Sequence, residues 1–348
     1  MSKGTAVYAL TQQGAALAGR LARELGGELF LPERMAADAQ GAHGFASLTE
    51  LVGENFHKYA PHVFVAACGI VVRAIAPHLR GKDIDPAVVV LDQNGRHAVS
   101  LLSGHLGGAN DLAREVALLC GGEAVITTAT DCAGLPSLDV LARDSGLAIE
   151  NVAAVKAVNA ALLEGRTVQL FDPQGWLAVP GEHAGLFEWL AAPHLLDPER
   201  PCVLVDWRAG GAGPGCLALR PKAVVAGVGC RKGTPGTEIV DALAQACAAR
   251  GVALGSVGVL ASIEAKRGEP GLAEAARELG AELIFFQAGD LAGVAVPNPS
   301  PMPLKHVGVE SVCEAAAMLA AGTAKLLAPK RKTPTVTVAL ALSPGRKA

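Results

Sequence analysis

From Thr5 to Thr128 the chain repeats one pattern: a short β-branched apolar run, then a stretch with apolar residues at helical spacing. Thr5 to Leu10, Glu28 to Leu31, His62 to Ala67, Ala87 to Leu91, His97 to Leu101 and Ala124 to Thr128 read as strands. Gln12 to Leu25 reads as a helix with Leu17, Leu21 and Leu25 on one stripe. Ser47 reads as the N-cap of a helix reaching Lys58, and Gly107 to Leu119 as a further helix. Apolar runs alternating with helices dictate a largely parallel sheet covered on both faces. Asp92-Gln93-Asn94-Gly95 joins two of the runs and signals one antiparallel hairpin.

The pattern weakens after Pro136. Ser137 to Ser145 and Val152 to Leu163 read as helical, with strand candidates at Thr167 to Phe171 and Cys202 to Trp207. Gly210 to Pro214 reads as a surface loop. Alternation resumes with strands at Ala223 to Gly227, Gly258 to Ala261, Glu282 to Phe285 and Thr335 to Leu342, and helices at Gly236 to Arg250, Gly271 to Leu279 and Ser311 to Ala321. The expectation is an α/β protein: two three-layer α/β domains with largely parallel sheets, at 1–135 and 222–348, joined by a smaller α+β middle domain at 136–221.

Composition removes several function classes. Hydrophobic residues are 51% and charged residues 18% of 348, which excludes global disorder. Aromatic residues are 4% and the net charge is −3, so neither a stacking platform for nucleic acid nor a polyanion footprint is present. Mean hydropathy is +0.34, yet the longest strongly apolar run, Val63 to Val72, ends at Arg73. A membrane span needs about 20 such residues. The leading MSKGTAVYAL lacks a signal peptide's apolar region, and a cytoplasmic protein is expected. The eight cysteines form no C-x-x-C pair, and the nine histidines show no metal-ligand spacing, so no metal held by the protein is expected. Walker A is absent, since Gly81-Lys82 is followed by Asp83; H-E-x-x-H and G-x-S-x-G are absent as well.

Four constellations carry chemistry. Ser103-Gly104-His105-Leu-Gly107-Gly108-Ala-Asn110-Asp111 sits between a strand and a helix. Glycines admit a close ligand, and a helix start offers amides to an anion. His105 suits general acid/base work, with Asp111 as its orienting group; a tight turn with a capping Asn or Asp and a hydrogen-bonded His is the other reading. Gly227-Val-Gly229-Cys230-Arg231-Lys232-Gly233-Thr234-Pro235 is G-x-G-x-x-x-G, a weak dinucleotide signal, with Thr234 as N-cap and Pro235 opening the helix. Arg231 and Lys232 put two cations beside a positive helix end, where Cys230 is either activated or simply packed. Ser262 to Gly271 follows a strand; Glu264 and Lys266 share a side if that strand continues, and Glu264 is the second acid/base candidate. Val296-Pro297-Asn298-Pro299-Ser300-Pro301, ahead of Ser311 as a helix cap, is a stiff pocket wall or a plain connector. Arg73, in the turn Gly69 to Arg73, is a further candidate anion contact, and Thr127-Thr128-Ala-Thr130-Asp131 ends another strand with polar groups.

Together these segments resemble the cobalt-precorrin-5A hydrolase family of anaerobic cobalamin biosynthesis, the CbiG family, over nearly the whole chain. The resemblance rests on Gly69 to Asp83, Ser103 to Ala113, Ile126 to Asp131, Gly227 to Thr234, Leu260 to Leu272, Val296 to Ser300 and Val307 to Ala317. It implies a cobalt-containing tetrapyrrole substrate whose δ-lactone is opened by water, with release of C20 and its methyl as acetaldehyde. Cobalt would come with the substrate, so no cofactor is expected. Neighbouring cobalamin-pathway enzymes and a second copy of the chain are conceivable partners; nucleic acid and membrane are not. The residues then expected at the substrate are His105, Asp111 and Glu264 for catalysis, and Arg73, Ser103, Gly104, Gly107, Gly108, Asn110, Gly229, Cys230, Arg231, Lys232, Gly233 and Lys266 for binding.

Overall fold

Ala6–Ala9 (β1) is buried at every position and anchors a seven-stranded sheet. Its partners are Glu28–Pro32 (β2), Ala42–Phe45 (β3), His62–Val65 (β4), Val88–Leu91 (β5), His97–Leu102 (β6) and Glu123–Val125 (β7), in the order β3-β2-β1-β4-β5-β6-β7. The computed structural model describes residues 4–81, 84–197, 199–211, 213, 215–301, 304 and 308–343. The first three residues of the leading segment, Lys82, Asp83, Val307, and Ala212 and Pro214 of the loop Gly210 to Pro214 lie outside the described residues. The chain divides into two compact units, Met1–Val140 and Leu141–Ala348.

In the first unit every neighbouring strand pair is parallel except β5–β6, the hairpin expected from Asp92 to Gly95. Helix starts follow their capping residues. The Thr11 hydroxyl accepts the Gly14 amide at 3.1 Å, and the Ser47 hydroxyl accepts the Glu50 amide at 3.4 Å. Both faces of the sheet are covered: Val7, Leu21, Val63 and Val116 share one core, and Tyr8, Phe56, Phe64 and Val90 the other.

The hairpin decides where the loops go. β6 runs back along β5, pairing Leu102 with Val88 and Ala98 with Leu91, and β7 runs parallel to β6. The carboxyl ends of β6 and β7 therefore lie on the rim where β4 and β5 begin. Segments 103–108 and 126–131 emerge there together. The Gly69 to Arg73 turn follows β4 and opens on the opposite rim, about 13 Å away at strand rise.

The second unit holds two sheets. Leu147–Ile149 (β8), Val168–Phe171 (β9), Phe187–Trp189 (β10), Cys202–Val205 (β11) and Cys216–Pro221 (β12) pair in the order β10-β9-β11-β12-β8, with only β8 antiparallel. Val224–Cys230 (β13), Val257–Ile263 (β14), Glu282–Phe286 (β15), Leu326–Lys332 (β16) and Val336–Leu342 (β17) pair in the order β15-β14-β13-β17-β16. Here β13, β14 and β15 are parallel, and β17 is antiparallel to both neighbours. Arg220 is fully buried: its Nε meets Glu150, and its Nη1 donates to the carbonyls of Asp206 at 3.0 Å and Arg208 at 2.6 Å. The α/β class is as expected. Among the described residues, no helix is long and apolar enough to cross a membrane.

Gly227 faces the helix Val312–Ala321 so closely that a Cβ would stand 1.8 Å from the Cys313 carbonyl oxygen. Gly227→Ala is expected to cost more than about 2 kcal/mol. Gly181→Ala, with open space around it, should stay within about 0.5 kcal/mol. Urea unfolding of the two variants checks the contrast.

Candidate functional site

The loop after β6 satisfies much of its own backbone. The amides of Gly108, Ala109 and Asn110 donate to the carbonyls of His105, Ser103 and Gly104 at 2.9, 3.1 and 3.0 Å. These three amides, read in the sequence as an anion cradle, are thus engaged internally. Gly108, not an Asn or Asp, is the N-cap of the helix Ala109–Cys120, at φ 83°, where L side chains are strained. Ser103 takes φ 57°, and its hydroxyl donates to the Asp85 carbonyl at 2.8 Å. A Cβ on Gly104 would lie 2.7 Å from Asn110 Oδ1, and one on Gly107 would lie 2.3 Å from Ser103 Cβ.

This packing delivers His105 into a ring of acids and hydroxyls. Its Nε2 lies 3.2 Å from Asp131 Oδ2 and 3.1 Å from Thr130 Oγ1. Its Nδ1 lies 3.3 Å from Ser137 Oγ and 3.6 Å from Asp139 Oδ2. Asp131 Oδ2 also accepts the Thr128 hydroxyl at 2.6 Å and Asn110 Nδ2 at 3.0 Å, while Arg114 Nη2 binds its other oxygen. Asn110 is buried and accepts from Ser100 Oγ at 2.7 Å. Ser137 donates its hydroxyl to Asp139.

The charges follow from these contacts. The hydrogen bond to Asp139 is the largest influence on His105 and, with Asp131, outweighs burial, so the imidazole pKa is raised. Burial pushes Asp139 up, but hydrogen bonds from His105 and Ser137 win and hold it at about 2. Asp131 is lowered too, with burial opposed by Thr128, Arg114 and His105. The result is an imidazole between two carboxylates that favour its protonated form. Both side chains of the His105–Asp131 pair remain 21% exposed.

The other sequence candidates divide by position. Asp111 pairs with Arg114 at 3.1 Å, and Arg114 passes on to Asp131; the carboxylates on the His105 ring nitrogens are Asp131 and Asp139. Arg73 Nη1 folds back onto the Gly69 carbonyl at 2.8 Å, on the opposite rim of the sheet. Thr130 and Asp131 were visible as polar groups ending a strand. Ser137 and Asp139 were not connected to His105, because the sequence change at Pro136 suggested a new domain there. Their signal was the Ser-x-Asp opening of the helix Leu138–Asp144.

In the second unit, Gly229 and Cys230 end β13, Arg231, Lys232 and Gly233 follow it, and Glu264 and Lys266 follow β14. A protein carboxylate already sits there. Glu269 accepts the Gly233 amide at 2.8 Å and Lys266 Nζ at 3.1 Å. Arg231 and Lys232 are exposed. Three local expectations change. β14 stops at Ile263 and a 3-10 turn takes over, so Glu264 turns to Arg267, 2.8 Å from Nη2, while Lys266 joins Glu269. Thr234 donates back to the Arg231 carbonyl at 2.9 Å, leaving Pro235 as the cap residue and the Gly236 amide to Glu274 at 3.1 Å. Burial raises the Cys230 pKa, so its thiol is packed rather than activated. The Asn298 loop is pinned by buried Glu314, which accepts the Asn298 amide at 3.0 Å, its Nδ2 at 2.8 Å and the Lys330 amide at 2.9 Å. Among the described residues no group of three His, Cys, Asp or Glu is placed to hold a metal ion.

Comparison with known proteins matches three family profiles in sequence order. They are cobalamin synthesis G N-terminal at residues 50–131, cobalamin biosynthesis central region at 136–221 and cobalamin synthesis G C-terminus at 224–341. The chain is 31% identical to cobalt-precorrin-5A hydrolase of Priestia megaterium, over 97% of this chain and 95% of that protein. It is 33% identical to cobalt-precorrin-5A hydrolase of Salmonella typhimurium strain LT2, over 97% of each. A crystal structure of CobE, a protein of the cobalamin biosynthetic pathway, is 33% identical over 34% of this chain and 91% of its own, with a TM-score of 0.33.

The linked charges give a pH signature. A raised His105 pKa stabilises the fold fully below about 6.5 and loses that contribution as pH rises through the folded value. Asp139 contributes above about 3.8 and loses it as pH falls toward about 2. The stability difference between wild type and His105→Asn should therefore peak between about pH 4 and 6.5. NMR titration should give His105 a midpoint above 6.5, lowered by Asp139→Asn.

Proposed function

The chain belongs to the cobalt-precorrin-5A hydrolase family and is a hydrolase of cobalamin biosynthesis, and from that premise we propose that the His105–Asp131–Asp139 constellation carries its chemistry. The observation that supports this is a single histidine flanked by two carboxylates, which raise its pKa, on a glycine-lined loop. The substrate is a cobalt-containing corrin precursor with a δ-lactone between the ring A acetate and C20. Water adds to the lactone carbonyl and gives one proton to bulk solvent, leaving a tetrahedral anion. As the tetrahedral intermediate collapses, the C20 oxygen leaves as an alkoxide and takes the proton of the His105 imidazolium. The neutral imidazole then accepts the C20 hydroxyl proton as the C–C bond from C20 to the ring breaks in a retro-aldol sense; the electron pair of that bond passes into the conjugated macrocycle, and C20 with its methyl leaves as acetaldehyde. The sequence suggested His105 for general acid/base work; two flanking acids favour it as an acid first and a base in the second step.

Asp131 and Asp139 fix the ring and carry its charge, and Arg114 holds Asp131. Arg231 and Lys232 of the second unit are exposed cations, a chemistry suited to carboxylates. The reading requires no cofactor of the protein's own, because cobalt is part of the substrate. We take the site of action to be the cytoplasm, with the corrinoid and neighbouring pathway enzymes as partners.

Anaerobic incubation with cobalt-precorrin-5A and an acetaldehyde assay tests the reading. His105→Asn should lower acetaldehyde release about 10²–10⁴-fold. Because the protonated ring acts first, kcat/KM should fall as pH rises through the raised His105 pKa, and Asp139→Asn should bring that fall to lower pH. A His105→Asn rate near wild type would remove His105 from the chemistry. Substrate binding without turnover by the wild type would instead make the protein a carrier.

A further inference from the structure

The sequence places Asn110 at the substrate; the structure turns its whole side chain inward, where it is only 3% exposed. Its Oδ1 accepts the Ser100 hydroxyl at 2.7 Å. Its Nδ2 donates one hydrogen to Thr128 Oγ1 and the other to Asp131 Oδ2, each at 3.0 Å. A side-chain amide has two hydrogens, so none is left for a ligand. The Thr128 hydroxyl in turn donates to the same Asp131 Oδ2 at 2.6 Å. The two oxygens of Asp131 thus have different neighbours. Oδ2 meets His105 Nε2 at 3.2 Å together with the Asn110 and Thr128 donors. Oδ1 meets Arg114 Nη2, while Arg114 Nη1 reaches Asp111 at 3.1 Å. A guanidinium beside a carboxylate that is free to turn takes both oxygens as a fork. Here it takes one, and the other is kept by two neutral donors and the imidazole.

We propose that Asn110 is a positioning residue of the His105 site: with Thr128, it holds Asp131 Oδ2 on the imidazole and out of the Arg114 fork. The proposal rests on the hydrolase reading for the part His105 plays in turnover. Residue type follows from the contacts. Asparagine supplies an acceptor for Ser100 and two donors without a charge. An aspartate would offer Asp131 no hydrogen and would set another negative charge against it. An apolar side chain would leave Oδ2 to the guanidinium. The ring itself is faced by the carboxylates of Asp131 and Asp139 and the hydroxyls of Thr130 and Ser137, with Arg114 and Asp111 behind Asp131. Turning Asp131 to Arg114 removes one of the two negative charges that favour the protonated ring.

The test is a double-mutant cycle on the full-length protein, read by NMR titration of His105 and by acetaldehyde release from cobalt-precorrin-5A across pH. Asn110→Leu keeps a branched side chain and removes its hydrogen bonds. It should lower the His105 midpoint toward about 6.5. In turnover it should lower kcat about 10–100-fold with little change in KM. An Arg114→Leu background has no competing fork, and there Asn110→Leu should move the midpoint far less. Thr128→Val removes the other donor to Oδ2 at a half-buried position. It should shift the midpoint in the same direction, again mainly where Arg114 is present, and it decides the matter if Asn110→Leu does not fold. An unchanged midpoint in the folded variants, or equal shifts with and without Arg114, would overturn the proposal. The titration needs no substrate. Failure of the wild type to release acetaldehyde would therefore remove the hydrolase reading while the cycle still decides the positioning role.

Discussion

The pairing of His105 with Asp131 and Asp139 is the constraint on which the site depends. Each ring nitrogen meets one carboxylate and one hydroxyl, from residues 130–131 on one side and 137–139 on the other. The Asp139 side chain is only 9% exposed. Such a carboxylate is tolerable inside a protein because a cation and a hydroxyl stand against it. Removing one partner of a buried pair costs about 3–5 kcal/mol, since the other charge is left stranded. The same three side chains fasten three separate stretches of backbone. The contacts that orient the imidazole and those that hold the local fold are here a single arrangement.

Topology makes that arrangement accessible. In a wholly parallel sheet, the carboxyl-end rim collects the ligand-binding loops. Here the hairpin at Asp92–Gly95 reverses the two outer strands of the first sheet. Their carboxyl ends appear on the rim where the other strands begin. Ser103 to Gly108 and Thr128 to Asp131 become neighbours on that rim, with Asp85 bound to Ser103 there.

Much of this was legible in the sequence, and the parts that were not share physical causes. The central strands stood out because burial on both faces demands unbroken apolar runs. The missing strands are β3, β8, β10, β12 and β16, four of them at sheet edges. An edge strand tolerates what reads as non-strand: Gly44 in β3, and Pro329 with three basic residues in β16. β12 is internal, but Arg220 and the glycines before it disguised it. At the site, the glycine run announced His105, since close backbone packing needs glycine. Its acids were harder to find. Asp131 was noticed and not paired, and Asp139 lay beyond a proline that suggested a boundary. Asp111, nearest in sequence, was the natural choice for a partner, yet its position in the helix turns it to Arg114 three residues on. Residues brought to one imidazole from 26 and 34 positions away leave no periodicity to read.

The reversed outer strands also bear on how the first unit tolerates change. Its two rims are separated by the full length of β5, about 13 Å of hydrogen-bonded backbone. Free-energy effects at sites that far apart, with no shared partner, sum with little interaction. Sequence drift around Gly69 to Arg73 then leaves the His105 rim energetically untouched, and each end of the sheet can be reshaped by selection as an independent variable.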